Sequence, residues 1–298
     1  MGSKARRRSR RTPIAPPSEG RTPARGKLVV IGGHEQRNPG SIILQDLAKQ
    51  VRSGRLLVCT VASDEPEALW EEYRKAFAGL GVRRVAHLDI GEREDILDKP
   101  PRDLLDEARV VFFTGGGQLK ITTRFAGTML CSAVERFYRR GGVVAGTSAG
   151  ASVLADTMLV SGEGEASHRI ATNLLMAPGL GFIRDVIIDQ HFAERGRIGR
   201  LLGAVAQNPR LLGLGIDEDT AVLIDRERTM NVLGTGAVYV ADARDVTYTN
   251  VAEESPDRTL SIFDVRLHVL SQGDEFDLVS RRPTHRFASS AENGRPTP

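Results

Sequence analysis

No apolar run in this sequence approaches the roughly 20 residues that a bilayer-spanning helix needs, so no membrane role is expected. Cysteine is nearly absent. Cys59 and Cys131 both stand among apolar neighbours, which fits two buried small side chains in a reduced, cytoplasmic protein rather than a disulfide framework. No His/Cys cluster has metal-ligand spacing, so no metal is expected. The glycine turns lack a Walker lysine and a full dinucleotide fingerprint, so no nucleotide cofactor is implied either.

The arginine cluster Arg6–Arg11 is followed by Thr12-Pro13-Ile14-Ala15-Pro16-Pro17, which is not the apolar segment an export signal requires. Residues 1–27 nevertheless carry nearly all the basic excess. Nine lysines and arginines face Glu19 alone, a net of +8 against +3 for the whole chain, so the remainder sums to about −5. Residues 1–26, rich in Pro, Ser and Gly, read as a disordered basic tail. Salt-sensitive attraction to polyanions is physically open to such a tail. No aromatic or groove-reading element accompanies the charge, so no specific nucleic-acid partner is expected. Residues 287–298 read as a second disordered tail.

What lies between, residues 27–286, reads as a single α/β hydrolytic domain. Lys27–Gly33, Arg55–Val61, Val82–Leu88, Ala108–Thr114 and Gly142–Ala145 are apolar runs of strand length. Helical patterns separate them: Ile43, Leu44, Leu47 and Val51 recur on one face, and further helices are expected at about 66–80 and 128–139. Strands too far apart for hairpins, alternating with helices, predict a mostly parallel sheet covered by helices on both faces. From about 221 the pattern shifts to short alternating strands, an antiparallel C-terminal part.

The glycine-rich turns Gly32-Gly33, Gly115-Gly116-Gly117 and Gly146 all fall just past strand C-termini, where open sheets place ligands. Gly146-Thr147-Ser148-Ala149-Gly150 has small residues on both sides of a serine, which permits a sharp strand-to-helix turn with the hydroxyl exposed. An alcohol is a poor nucleophile without a base. His191, at the end of Val186-Ile187-Ile188-Asp189-Gln190, and His34, after Gly33, both stand at strand ends. His168 belongs to the loop Ser161–Ser167, a candidate lid, while His87 and His268 read as structural and His285 is near the C-terminus. For the acid that orients the base, Asp217, Glu218 and Asp219 all qualify. Strand alternation separates Glu218 from its neighbours without choosing a face.

Six ordered motifs carry a family resemblance. They are Ile31-Gly32-Gly33; Phe113-Thr114-Gly115-Gly116-Gly117-Gln118-Leu119; Gly146–Ala151; Met176–Gly181; Asp189-Gln190-His191-Phe192 with Arg195-Gly196-Arg197; and Gly215–Ala221. Together they resemble the cyanophycinase family of serine exopeptidases, which groups with aspartyl dipeptidase and has a class I glutamine amidotransferase-like, flavodoxin-like fold. The resemblance implies a triad of Ser148, His191 and Glu218, with oxyanion amides at Gly116, Gly117 and Ala149. It implies a substrate site lined by Gln118, Asp189, Gln190, Arg195, Arg197 and Arg200, and a homodimer.

The substrate implied is cyanophycin, an aspartate backbone with arginine on each side-chain carboxyl, or related β-aspartyl peptides. Asp189 or Glu165 would meet the guanidinium and arginine forks the carboxylate. On their own, the three arginines read as a solvated helix face. Two residues depart from the family pattern: His34 replaces a small residue, and Gly117 replaces an aspartate. The alternatives are an aspartyl or isoaspartyl dipeptidase of the same group and an inactive binding protein working through its tail.

Overall fold

The computed structural model describes residues 26–96, 105–160, 174–226, 228–252 and 259–284. The basic tail, the loop with Glu165 and His168, His285 and residues 287–298 lie outside the described residues. The first half alternates strand and helix: β1 (Lys27–Ile31), α1 (Ile42–Val51), β2 (Arg55–Cys59), α2 (Pro66–Gly79), β3 (Val85–Leu88), β4 (Ala108–Phe113), α3 (Gln118–Phe125), α4 (Met129–Arg139), β5 (Val143–Thr147) and the short α5 (Ala149–Ser152). There follow β6 (Thr157–Leu159), β7 (Met176–Pro178), β8 (Val186–Gln190), α6 (Ile198–Gln207) and β9 (Leu212–Ile216). The last part is strand-rich: β10 (Thr220–Ile224), β11 (Thr229–Gly234), β12 (Val238–Asp242), β13 (Tyr248–Thr249), β14 (Ile262–Phe263), β15 (Arg266–Leu270), β16 (Glu275–Asp277) and β17 (Arg282–Thr284).

Local sequence explains the helix boundaries. Ser41 accepts a hydrogen bond from the Leu44 amide and so caps α1, and Thr128 caps α4 through the Cys131 amide. Pro66 opens α2, where its fixed φ and missing N–H cost nothing. The buried face of α1 is Ile43, Leu44, Leu47 and Val51, the stripe that the periodicity predicts.

Among the described residues the larger sheet has nine strands in the order β17-β16-β11-β10-β1-β5-β4-β2-β3. The pairings β1–β5, β5–β4, β4–β2 and β2–β3 are parallel, whereas β10 lies antiparallel to β1, with Leu28 opposite Ile224. Period-two alternation sends the strand residues into two cores. Leu28, Val30, Leu57, Cys59, Val111, Phe113 and Val144 face one core, while Val29, Ile31, Leu56, Val58, Val110, Phe112 and Ala145 face the other with α1 and α2. Helices on both faces of a mostly parallel core bear out the expected fold class.

Strands β8 and β9 are parallel to each other but belong to a second, four-stranded sheet, β15-β12-β9-β8. One face of this sheet shares the first core through Val186, Ile188, Leu212, Leu214, Val238 and Val240. The other packs Ile187, Leu211 and Ala241 with Leu201, Ala204 and Val205 of α6. The third strand starts at Val85 rather than Val82. Between β9 and β10 the chain leaves the second sheet and enters the first, and the residues that make the crossing are Asp217-Glu218-Asp219. Among the described residues no helix is long and apolar enough to cross a membrane.

Candidate active site

Ser148 is the first residue after β5 and caps α5 with φ 52° and ψ −117°, a left-handed backbone that forces an abrupt turn. Gly146 and Gly150 make that turn possible. A Cβ at 146 would lie 2.1 Å from the Gly150 carbonyl oxygen, and one at 150 would lie 2.2 Å from that of Phe113. The serine is therefore held at the C-terminal edge of the parallel strands with its side chain half-buried.

His191 follows β8, also with positive φ (49°), and its amide donates to the Gly32 carbonyl at 2.9 Å. Gly33 lies directly against the imidazole: a Cβ there would come within 2.2 Å of Cε1. This contact gives the Gly32-Gly33 turn its purpose, since a larger residue would push the ring out of place. The ring's Nε2 lies 2.7 Å from Ser148 Oγ and its Nδ1 lies 2.6 Å from Glu218 Oε1.

Three acids compete at the sheet crossing, and each has its own task. Asp217 is buried and accepts the amides of Ala193 and Ala237 at 2.9 and 3.0 Å. Asp219 accepts the Gln36 amide and side chain at 3.2 and 3.1 Å. Only Glu218, between them, reaches the imidazole.

Burial lowers the His191 pKa below its ordinary 6.5. The Glu218 hydrogen bond works the other way, while Arg195 and His34 add to the lowering. Burial alone would raise Glu218, but its bonds to His191 and His34 outweigh this and hold the carboxyl below the usual range. A neutral imidazole between a hydroxyl and an ionised carboxylate is equipped to take a proton from the hydroxyl.

The glycine turn after β4 is adjacent to the serine: a Cβ at Gly115 would lie 3.2 Å from that of Ser148. Of the three expected oxyanion amides, Gly117 is corrected, because its N–H already donates to the Ala62 carbonyl at 2.8 Å. Ala149 is the first residue of α5, where a helix leaves the N–H without an intrahelical acceptor. Gly116 is exposed in the glycine turn.

The expected substrate residues divide. Gln118 is half-buried at the start of α3 and donates to the Leu159 carbonyl; Arg195 is exposed. Asp189, Arg197 and Arg200 turn inward. Asp189 is 0% exposed and each arginine 3%. Arg200 Nε donates to Asp189 Oδ2 at 2.9 Å, its Nη2 contacts Oδ1, and Arg197 Nη1 lies 3.3 Å from Oδ1. Arg197 also donates to the backbone and side-chain oxygens of Gln190, at 2.6 and 3.1 Å. These residues therefore meet one another rather than solvent, and their contacts brace the strand end that carries His191.

Two further site residues take their roles only in the fold: Glu35 had no signal in the sequence, and His34 stood out only as a histidine after Gly33 that departs from the family pattern. Glu35 is buried, with Tyr73 Oη at 2.5 Å and Thr147 Oγ1 at 2.6 Å, so it anchors the residue before Ser148. His34 places Nδ1 2.8 Å from Glu218 Oε1 while 68% of its side chain stays exposed. A glutamate and a histidine in a polar loop look like surface residues until the fold brings residues 147 and 218 against them.

Comparison with known proteins follows this geometry. The profile of Peptidase family S51 matches residues 28–232. A cyanophycinase from Trichormus variabilis is 38% identical over 280 residues, covering 91% of this chain and 93% of that protein. One from Synechococcus elongatus is 36% identical over 278 residues (92% and 86%), and one from Geminocystis herdmanii 34% over 263 residues (87% and 96%). Among solved structures, a peptidase from an acI-B1 Actinobacterium superposes with a TM-score of 0.63 at 21% identity, covering 85% of this chain and 97% of that one, a likeness of fold.

Proposed function

The chain belongs to peptidase family S51 and is a peptide-bond hydrolase, and from that premise we propose that it degrades cyanophycin to β-Asp-Arg dipeptides through an acyl-enzyme on Ser148. The substrate is taken from the relatives named cyanophycinase, whose match runs through nearly the whole folded chain. The observation that carries the mechanism is the hydrogen-bonded series Ser148 Oγ, His191 Nε2, His191 Nδ1, Glu218 Oε1.

His191 takes the Ser148 proton as Oγ attacks the scissile carbonyl, and Glu218 keeps the imidazole in the Nδ1–H tautomer and stabilises the imidazolium. The amides of Gly116 and Ala149 receive the oxyanion. The imidazolium then gives its proton to the leaving amine, and water, activated by the same base, hydrolyses the ester. Gln118, half-buried, and Arg195, exposed, meet the substrate; Asp189, Arg197 and Arg200 act by holding His191. A homodimeric, cytoplasmic enzyme is part of this reading, checked by sedimentation and cell fractionation.

The deciding experiment incubates the protein and Ser148→Ala with insoluble cyanophycin and identifies the soluble products by mass spectrometry. The expected result is β-Asp-Arg from the native chain alone, with a rate loss of roughly 10³-fold or more in an equally stable variant. Activity confined to short aspartyl or isoaspartyl dipeptides would transfer the assignment to that substrate class.

A further inference from the structure

Glu218 Oε1 is approached from two sides, by His191 Nδ1 at 2.6 Å and by His34 Nδ1 at 2.8 Å. The two imidazoles meet edge to face with centroids 4.9 Å apart, and one potential ligand atom from each of His34, His191 and Glu218 falls within 4.8 Å of the others. The three arrive on separate connections: between β1 and α1, between β8 and α6, and at the crossing from β9 to β10. No sequence spacing could announce them. The series Ser148–His191–Glu218 is complete without His34, yet His34 is held at a positive φ of 47° with its ring against the carboxylate.

Resting on the serine-peptidase reading above, we propose that His34, His191 and Glu218 form an inhibitory binding site for a transition-metal ion of the zinc type. Two imidazole nitrogens and a carboxylate oxygen, with solvent in the fourth position, make an open tetrahedral ligand set. Nitrogen donors disfavour calcium and magnesium, which take oxygen. Bonds of about 2.0–2.1 Å at tetrahedral angles require the ligand atoms to stand about 3.3 Å apart. The Glu218 oxygen must therefore stand about 0.7 Å farther from His191 Nδ1 and about 0.5 Å farther from His34 Nδ1. The buried His191 ring stays in place, and the adjustments are open to the half-buried Glu218 side chain and the exposed His34 loop. That exposure is also the entry path. Arg195 opposes a cation here; the Glu218 carboxylate, with Glu194 beside it at the Glu218 amide, favours one.

Inhibition follows from the tautomer. In the neutral imidazole that serves as base, Nδ1 carries the proton and Nε2 offers a lone pair to Ser148. An ion bound at Nδ1 uses the Nδ1 lone pair, and the single proton moves to Nε2. No proton is lost and nothing is oxidised, but Nε2 becomes a donor toward Ser148 Oγ and cannot accept its proton. The His34 ring changes from a hydrogen-bond donor on Glu218 to a metal ligand in the same step.

The test titrates the full chain with ZnCl₂ by calorimetry and with Co²⁺ by visible absorption, neither of which needs activity. Native protein and Ser148→Ala should bind one ion with tetrahedral Co²⁺ bands, and zinc should abolish native activity until EDTA restores it. His34→Asn keeps a residue tolerant of the left-handed backbone. It should need at least ten-fold more zinc for both binding and inhibition, the latter read against its own metal-free rate. No stoichiometric binding, equal zinc affinity in His34→Asn, or full activity with the ion bound would each overturn the site. Failure to cleave any aspartyl peptide would instead overturn the peptidase mechanism, while the Co²⁺ spectra would still judge the metal site.

Discussion

Gly33 has no side chain because the His191 imidazole occupies the space one would fill. Gly33→Ala is expected to displace the ring and cost about 10²-fold in kcat, the scale of an ångström's misplacement, with native far-UV circular dichroism. The lowered pKa of His191 makes a second prediction. The base works when neutral, and burial favours the neutral form, so activity should fall with decreasing pH through a midpoint below 6.5. A kcat/KM profile recorded with EDTA present checks this; an acidic limb above 6.5 would contradict it. At this scale the sequence was partly legible. The serine turn could be read because small residues on both sides of a serine mark a sharp strand-to-helix turn within a few positions of sequence. The acid could not be chosen from residues 217–219 by alternation, because they lie between strands rather than on one. Glu35 acts through Tyr73 and Thr147, and His34 through Glu218, partners remote in the chain that no local pattern records.

At the scale of elements, β8 and α6 are joined by the buried contacts of Asp189 with Arg197 and Arg200. Removing one partner of such a buried pair strands a desolvated charge. Asp189→Ala should therefore destabilise the protein by about 3–5 kcal/mol in urea unfolding. If Asp189 instead met substrate, the variant would raise KM and leave the unfolding midpoint in place. Arg197 and Arg200 illustrate a limit of reading polar residues near a helix. A solvated face and a buried salt bridge have the same composition, and only the strand packed beneath α6 distinguishes them. The strands were more legible, because apolar runs of strand length between helices suit only a sheet covered on both faces.

Over the whole molecule, two sheets share one core and the site lies at their seam. Ser148 belongs to the larger sheet, His191 to the smaller, and Glu218 to the crossing between them. Parallel pairing of β8 with β9 was compatible with a single sheet, and nothing local shows that a strand has moved to another. The family match ends at residue 232, but β12 lies between β9 and β15, and Asp217 binds the Ala237 amide. A chain ending at 232 is therefore expected to be insoluble or to lack a cooperative unfolding transition, whereas one ending at 284 should match the full protein in both.

The antiparallel pairing of β1 with β10 also has a consequence in time. Strand β1 acquires this neighbour only after residues 220–224 have been made, and the proposed His191–Glu218 pair is complete only with residue 218. Until then the nucleophile has no oriented base. On the proposed mechanism, a nascent chain carrying Ser148 is thus inert toward peptides around it until residue 218 has been made and the crossing has folded.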